Sequence, residues 1–230
     1  MPSVLIAGAS RGIGLELARQ YAAEGCRVIG TCRDAGAESR LRVMGVEPRQ
    51  LDVSNAGQFE ALAASLAATA IDVFIHSAGV YGGDNNSLVA PDEQDFEEVM
   101  RVNVLAPMRS MAVIGPLVAR ASGRLVYLSS SMGSITQMSG SHGMRDTSGW
   151  LYRASKAALN AALKCASGEL GAKGVICLTM HPGWVRTDMG GPSAPLDVVT
   201  SASGLRQVIA RATGKDNGRF LDYTGAPIPW

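Results

Sequence analysis

The chain has 230 residues, 47% of them apolar and 18% charged, with a formal net charge of +1. That length buries a full core as one domain spanning 1–230, and that apolar share fits an α/β domain around a buried parallel sheet. The scattered, near-balanced charge lacks the basic tract of a nucleic-acid-binding protein, so no nucleic-acid partner is expected.

The four cysteines, Cys26, Cys32, Cys165 and Cys177, form no C-x-x-C pair and no cluster with histidines. They read as small hydrophobes in a reducing cytoplasm, and no metal site is expected. No signal-type segment opens the chain and no apolar run reaches the ~18 residues of a membrane span. A cytoplasmic protein without a membrane partner is the expectation.

Ser3 to Ala7 reads as a first strand, followed at once by Gly8-Ala9-Ser10-Arg11-Gly12-Ile13-Gly14 and a helix over Leu15 to Glu24. A glycine turn between strand and helix lets backbone amides approach a phosphate, and the helix N-terminus favours an anion. The spacing is G-x-x-x-G-x-G, which does not by itself name the nucleotide. A second strand, Arg27 to Cys32, ends at Arg33. The acidic residue that binds a ribose 2′-hydroxyl in NAD sites is missing at that strand end. Arg33 suits a 2′-phosphate and Arg11 could converge on it, which favours NADP(H) over NAD(H); Asp34, one position later, argues the other way.

Pro48 to Leu51 is a third strand closing on Asp52-Val53, Ala56 to Ala68 an alanine-rich helix, and Ile71 to Ile75 an apolar fourth strand. The fourth strand runs into His76-Ser77-Ala78-Gly79, where a cofactor could pass closely; His76 reads as a satisfied strand-end histidine. After the polar loop Gly82-Gly83-Asp84-Asn85-Asn86, one long helix from Asp92 to about Arg120 is expected, bent or interrupted by Pro107 and Gly115-Pro116. Asn103 falls inside it without a propensity reason and either faces solvent or is recruited for hydrogen bonding. Gly123 to Ser129 is a fifth strand that runs into Ser130-Ser131-Met132-Gly133. The C-terminal edge of a parallel strand is where open α/β sheets place chemistry.

Ile135 to Trp150 reads as a long connection able to shape a substrate pocket. Tyr152-Arg153-Ala154-Ser155-Lys156 opens a helix running to about Gly171. Positions i and i+4 share a helix face, so the Tyr152 phenol and Lys156 ammonium stack one above the other. In isolation that pair describes an ordinary amphipathic helix as well as an acid/base device in which the cation lowers the phenol's pKa. Gly174 to Met180 is a sixth strand ending in His181-Pro182-Gly183-Trp184-Val185-Arg186-Thr187. A last helix over Leu196 to Ala212 and a seventh strand over Gly218 to Asp222 precede the tail Tyr223 to Trp230. Alternating strands and helices predict a Rossmann-like, doubly wound α/β sheet of about seven parallel strands with helices on both faces.

The ordered set Gly8-x-x-x-Gly12-x-Gly14, Asp52, Ser77-Ala78-Gly79, Asn103, Ser130, Tyr152-x-x-x-Lys156 and Pro182-Gly183 with Thr187 resembles the short-chain dehydrogenase/reductase family over essentially the whole chain. The endings His-Pro-Gly-Trp-Val-x-Thr-Asp-Met-Gly-Gly and Gly-Arg-Phe-Leu-Asp-Tyr-Thr-Gly-Ala-Pro-Ile-Pro-Trp look like its C-factor-like and sniffer-like carbonyl reductases. The resemblance implies that Tyr152 is the acid/base and that Lys156 lowers its pKa and holds the nicotinamide ribose. Ser130, three residues before Gly133, would bond the substrate oxygen, and Asn103 would hold a relay water. Gly8, Ser10, Arg11, Gly12, Ile13, Gly14, Arg33, Asp52, Val53, Ser77, Ala78, Gly79, Pro182, Gly183, Val185 and Thr187 would line the NADP(H) site. A carbonyl or alcohol substrate and a possible homo-oligomer follow from the same resemblance. A C-factor-type NADP(H)-binding signalling or sensor protein with little turnover is the alternative. Two departures stand out: His76-Ser77 replaces the family's Asn-Asn, and the connection from Ser130 to Tyr152 is long.

Overall fold

The backbone is wound about seven parallel strands, described in a computed structural model for residues 1–83, 90–138 and 148–230. The strands are β1 (Ser3–Ala7), β2 (Arg27–Cys32), β3 (Glu47–Gln50), β4 (Val73–His76), β5 (Arg124–Leu128), β6 (Ile176–His181) and β7 (Arg219–Asp222). Their spatial order is β3-β2-β1-β4-β5-β6-β7, so the chain starts in the middle and winds outwards in both directions. Where β1 parts β2 from β4, crossovers leave on opposite faces and open a crevice at the strands' C-terminal edge.

Alternation along β1 shows why both faces are covered. Val4 and Ile6 enter one apolar core with α1 (Gly12–Ala23), α2 (Ala35–Val43) and α8 (Val198–Arg211). Leu5 and Ala7 enter the other, with α3 (Gln58–Ser65), α5 (Ala106–Ala119) and α7 (Trp150–Gly171). A strand buried on both faces must be apolar at every position, which is how β1 reads.

Several boundaries differ from the sequence expectation. Helix α1 starts at Gly12 rather than Leu15, because the glycine loop itself closes the first turn. Helix α2 was not foreseen. Asp34 caps it by accepting from the Ala37 N–H at 2.8 Å, and only Ala37 and Leu41 are buried, so its apolar signal is thin. The long helix is α4 (Glu93–Met100), a π-turn at Arg101–Leu105, and α5. The π-turn falls just before Pro107, while Pro116 is accommodated inside α5. Glu93–Ala119 is, by length and composition, long and apolar enough to cross a membrane, contrary to the run-based expectation. Here it packs through Met111, Ile114 and Val118 against the sheet.

A short α6 (Ile135–Met138) follows the turn after β5. Most of the 134–150 connection (139–147), and Asp84, Asn85 and Asn86 of the polar loop, lie outside the described residues. The tail folds back along β7: the Ile228 N–H donates to the Phe220 carbonyl at 2.9 Å, and Trp230 stacks on Phe220.

Candidate active site

The crevice is a cleft of about 790 Å³ lined by the glycine loop, the end of β2, Asp52 and Val53, Ser77 to Val80, and Arg186 to Met189. Gly8, Ser10, Arg11, Gly12, Ile13, Arg33, Asp52, Val53, Ser77, Ala78, Gly79 and Thr187 all border it. Gly14 supports it from behind, and Pro182, Gly183 and Val185 do not line it. Val185 is buried and bridges to Leu196, closing a short segment into α8. A Cβ at Gly8, where φ is +87°, would stand 2.8 Å from the Ala78 nitrogen, and one at Gly14 would collide with the Gly8 carbonyl. Glycine is required for that packing. The cap position of α1, Arg11, gives the helix no side-chain hydrogen bond, so its first amides are left for an anion.

The charged ends of the cleft differ. Arg33 is exposed at the end of β2 and acts on Asp52, whose carboxyl is lowered chiefly by hydrogen bonds from Ser54. Asp34 has spent an oxygen on capping α2. The Arg11 guanidinium pairs with Asp188 at 2.7 Å, and Arg11, Asp188 and Arg33 all border the cleft. The cradle and the uncapped amides fit the pyrophosphate of a dinucleotide.

Beyond Gly79 the polar side chains become buried. A Cβ on Gly79 would stand 3.3 Å from Asn103 Oδ1 and 3.5 Å from Lys156 Nζ, so this glycine joins cleft and cluster. Asn103 is fully buried; it accepts from the Val80 N–H at 2.9 Å, donates to the Val80 carbonyl at 2.8 Å, and donates to Ser155 Oγ at 3.0 Å. Its side chain therefore fixes the turn after β4. The proline at position i+4, Pro107, has no N–H to offer the Asn103 carbonyl.

Tyr152 and Lys156 share the inner face of α7, 7% and 4% exposed. Ser130 lies beside the Tyr152 phenol and acts to lower its pKa, while its neighbour Ser129 donates to Asn160 at 2.6 Å. Lys156 Nζ donates to the Leu128 carbonyl at 3.1 Å and lies 5.5 Å from the Tyr152 ring centroid. Lys156 is not among the influences on the phenol, contrary to the expected lowering. Burial pushes Tyr152 up to about 12, with Ser130 opposing the rise and Tyr81 adding to it. Burial likewise lowers Lys156 to about 8.

His76 takes the place of a family asparagine. Its ring stacks on Tyr127 at 5.4 Å and on Phe59 at 6.0 Å, and its Nε2 has no hydrogen-bond partner among the described residues. An aromatic stack thus replaces a polar tie across the sheet. Burial, and then Lys156, push its pKa down to about 3. Among the described residues no group of three or more His, Cys, Asp or Glu side chains could hold a metal ion.

Four participants escaped the sequence reading. Tyr81 packs on the Tyr152 ring at 4.9 Å, a contact with no sequence signature. Ser155 and Asn160 lie on α7, and the helical register from Tyr152 could have found Asn160 at i+8. Asp188, the partner of Arg11, is the fourth, and needed the fold to appear.

The comparisons agree with this geometry. Residues 2–195 match the family model described as short chain dehydrogenase. C-signal of Myxococcus xanthus is 36% identical over 176 residues, covering 74% of this chain and 99% of that protein. The carbonyl reductase Sniffer of D. melanogaster superposes with a TM-score of 0.90 at 30% identity, over 100% of both chains. The NADPH-bound carbonyl reductase from chicken fatty liver gives 0.89 at 29% identity, over 100% of this chain and 99% of that one. The family match over residues 2–195, on a seven-stranded sheet with a glycine-cradled cleft at its switch point, places the chain in the short-chain dehydrogenase family of oxidoreductases.

Proposed function

We propose that the protein is an NADP(H)-dependent carbonyl reductase, moving a hydride between nicotinamide and a carbonyl or alcohol of small size. The observation that carries this reading is the grouping of Ser130 and Lys156 about Tyr152, next to Gly79 of the cleft wall. Relatives of the same fold bound to NADPH and to NADP support the cofactor.

When bound, the nicotinamide supplies or accepts the hydride at carbon. The chain's own residues handle the oxygen and its proton. Ser130 donates to the carbonyl oxygen, and Tyr152, kept protonated at neutral pH by its burial, transfers its proton there as the carbonyl becomes an alcohol. Lys156 holds the ribose hydroxyls beside the phenol and stabilises the phenolate left behind. The Asn103 carbonyl, which Pro107 cannot engage, holds a water through which the phenolate is reprotonated from solvent. Arg33 and Arg11 take the 2′-phosphate, and the uncapped turn of α1 takes the pyrophosphate.

The test is NADPH oxidation against a panel of ketones, aldehydes and quinones. Tyr152→Phe should lower turnover by about 10²- to 10⁴-fold while NADPH affinity stays within about twofold. Wild-type turnover in that variant would refute the mechanism. The identity with C-signal supports a second reading, an NADP(H)-binding signalling or sensor protein with little turnover. Tight NADPH binding with no turnover across the whole panel would favour it. Exposed Phe96, Leu105 and Met108 on the α4–α5 rod support association of two copies, which sedimentation would detect.

A further inference from the structure

We propose that Asn160 is a positioning residue that sets Ser130 against Tyr152. The inference rests on the reductase reading for its kinetic readout and on geometry alone for its structural one.

Tyr152, Lys156 and Asn160 occupy positions i, i+4 and i+8 of α7, one face over three successive turns. Each holds a different part of the segment leaving β5. Tyr152 stands beside Ser130, Lys156 donates to the Leu128 carbonyl, and Asn160 takes both ends of the turn that contains Ser130. The Ser129 hydroxyl donates to Asn160 Oδ1 at 2.6 Å, and Asn160 Nδ2 donates to the Gly133 carbonyl at 3.2 Å. That assignment of the amide is forced, since the Gly133 carbonyl can only accept.

Asn160 is 3% exposed, so water does not replace either bond. The turn between its two anchors is closed by the Gly133 N–H on the Ser130 carbonyl at 2.9 Å. The Met132 N–H donates to Ser130 Oγ at 3.2 Å. A Cβ at Gly133 would stand 2.8 Å from the Lys156 carbonyl carbon, so the turn is pressed directly onto the α7 backbone. Ser130 thus sits on a short arch clamped at both feet by one amide, and that amide belongs to the helix that carries the acid. A hydroxyl misplaced by about 1 Å costs up to about 100-fold in rate. The arch makes the distance from Ser130 to Tyr152 a property of one helix.

The experiment uses full-length protein with NADPH. Variants are Asn160→Leu and Ser129→Ala, each alone and combined with Ser130→Ala. Steady-state kinetics use a carbonyl that the wild type reduces, and hydrogen exchange is followed over residues 129–134. Asn160→Leu should lower kcat about 10- to 100-fold, with NADPH affinity within about twofold, and accelerate exchange in 129–134 without accelerating it along α7. Ser129→Ala, which removes one foot and almost no volume, should give a smaller loss in the same direction and covers the case in which the leucine variant does not fold. In the Ser130→Ala background either change should cost no more than about twofold, because the residue acts through Ser130.

The same loss in that background, or wild-type kcat and exchange in both single variants, overturns the proposal. If the wild type reduces no carbonyl, the reductase reading fails by itself. Exchange then decides the placement of the arch: faster exchange at 129–134 supports it and unchanged exchange overturns it.

Discussion

The Lys156 ammonium stands 5.5 Å from the centre of the Tyr152 ring, yet its hydrogen bond goes to the Leu128 carbonyl at 3.1 Å. Both groups are buried, and among the described residues neither is in a salt bridge, so the phenol is held high, at about 12, and the ammonium low, at about 8. In the unfolded chain the lysine keeps its proton to about 10.5. Between about pH 8 and 10.5 the unfolded state therefore binds more protons, and this group makes stability rise with pH. Lys156→Met should remove that rise, worth about 3 kcal/mol at most. Denaturant unfolding of both proteins from about pH 7.5 to about pH 10 measures the difference.

Two histidines act in the acid range. His76 and His181 are lowered from 6.5 to about 3 and about 4, in each case chiefly by burial. The unfolded chain takes up protons that the folded chain refuses, so stability falls as pH drops from 6.5 towards 3. His76→Phe keeps a ring between Phe59 and Tyr127 and removes the proton. Its unfolding free energy should fall less steeply than that of the wild type, the gap in slope amounting to about 2–3 kcal/mol by pH ~4.5.

Cofactor choice turns on neighbouring residues with opposite duties. Arg33→Ala should weaken NADPH about tenfold and leave NADH within about twofold. Asp34→Ala should cost about 1 kcal/mol of stability through the lost α2 cap and leave the ratio of the two affinities unchanged. Titration with each nucleotide separates them. A protein that prefers NADH before any substitution contradicts the NADP(H) reading.

The Arg11–Asp188 pair spans the cleft mouth with both side chains mostly exposed, at 62% and 77%. Such a pair adds little to stability. Asp188→Asn should leave the melting temperature unchanged, free Arg11 and tighten NADPH a few-fold at low ionic strength. The gain should fade as salt is raised, and a salt-independent change would mean that Asp188 acts otherwise.

The sequence by itself determined most of the scaffold. Apolar runs of four to six residues, glycines at a tight βα turn and helices between them leave few topologies open, because parallel strands need crossovers of one hand. The i, i+4 spacing of Tyr152 and Lys156 needs only a helix to bring them together. Asp34 is the residue whose role local reading left open. Along the sequence its carboxylate reads only as an argument for NAD(H), and α2, too thinly apolar to announce itself, gives one of its oxygens a helix end to cap. What only the tertiary structure decided lies across sequence gaps: Ser130 meeting Tyr152, Asn103 stitching Val80 to Ser155, Arg11 pairing with Asp188, Tyr81 covering the phenol. The direction of the Tyr152 shift belongs there too, since burial is a property of the packed whole and no spacing along one helix encodes it.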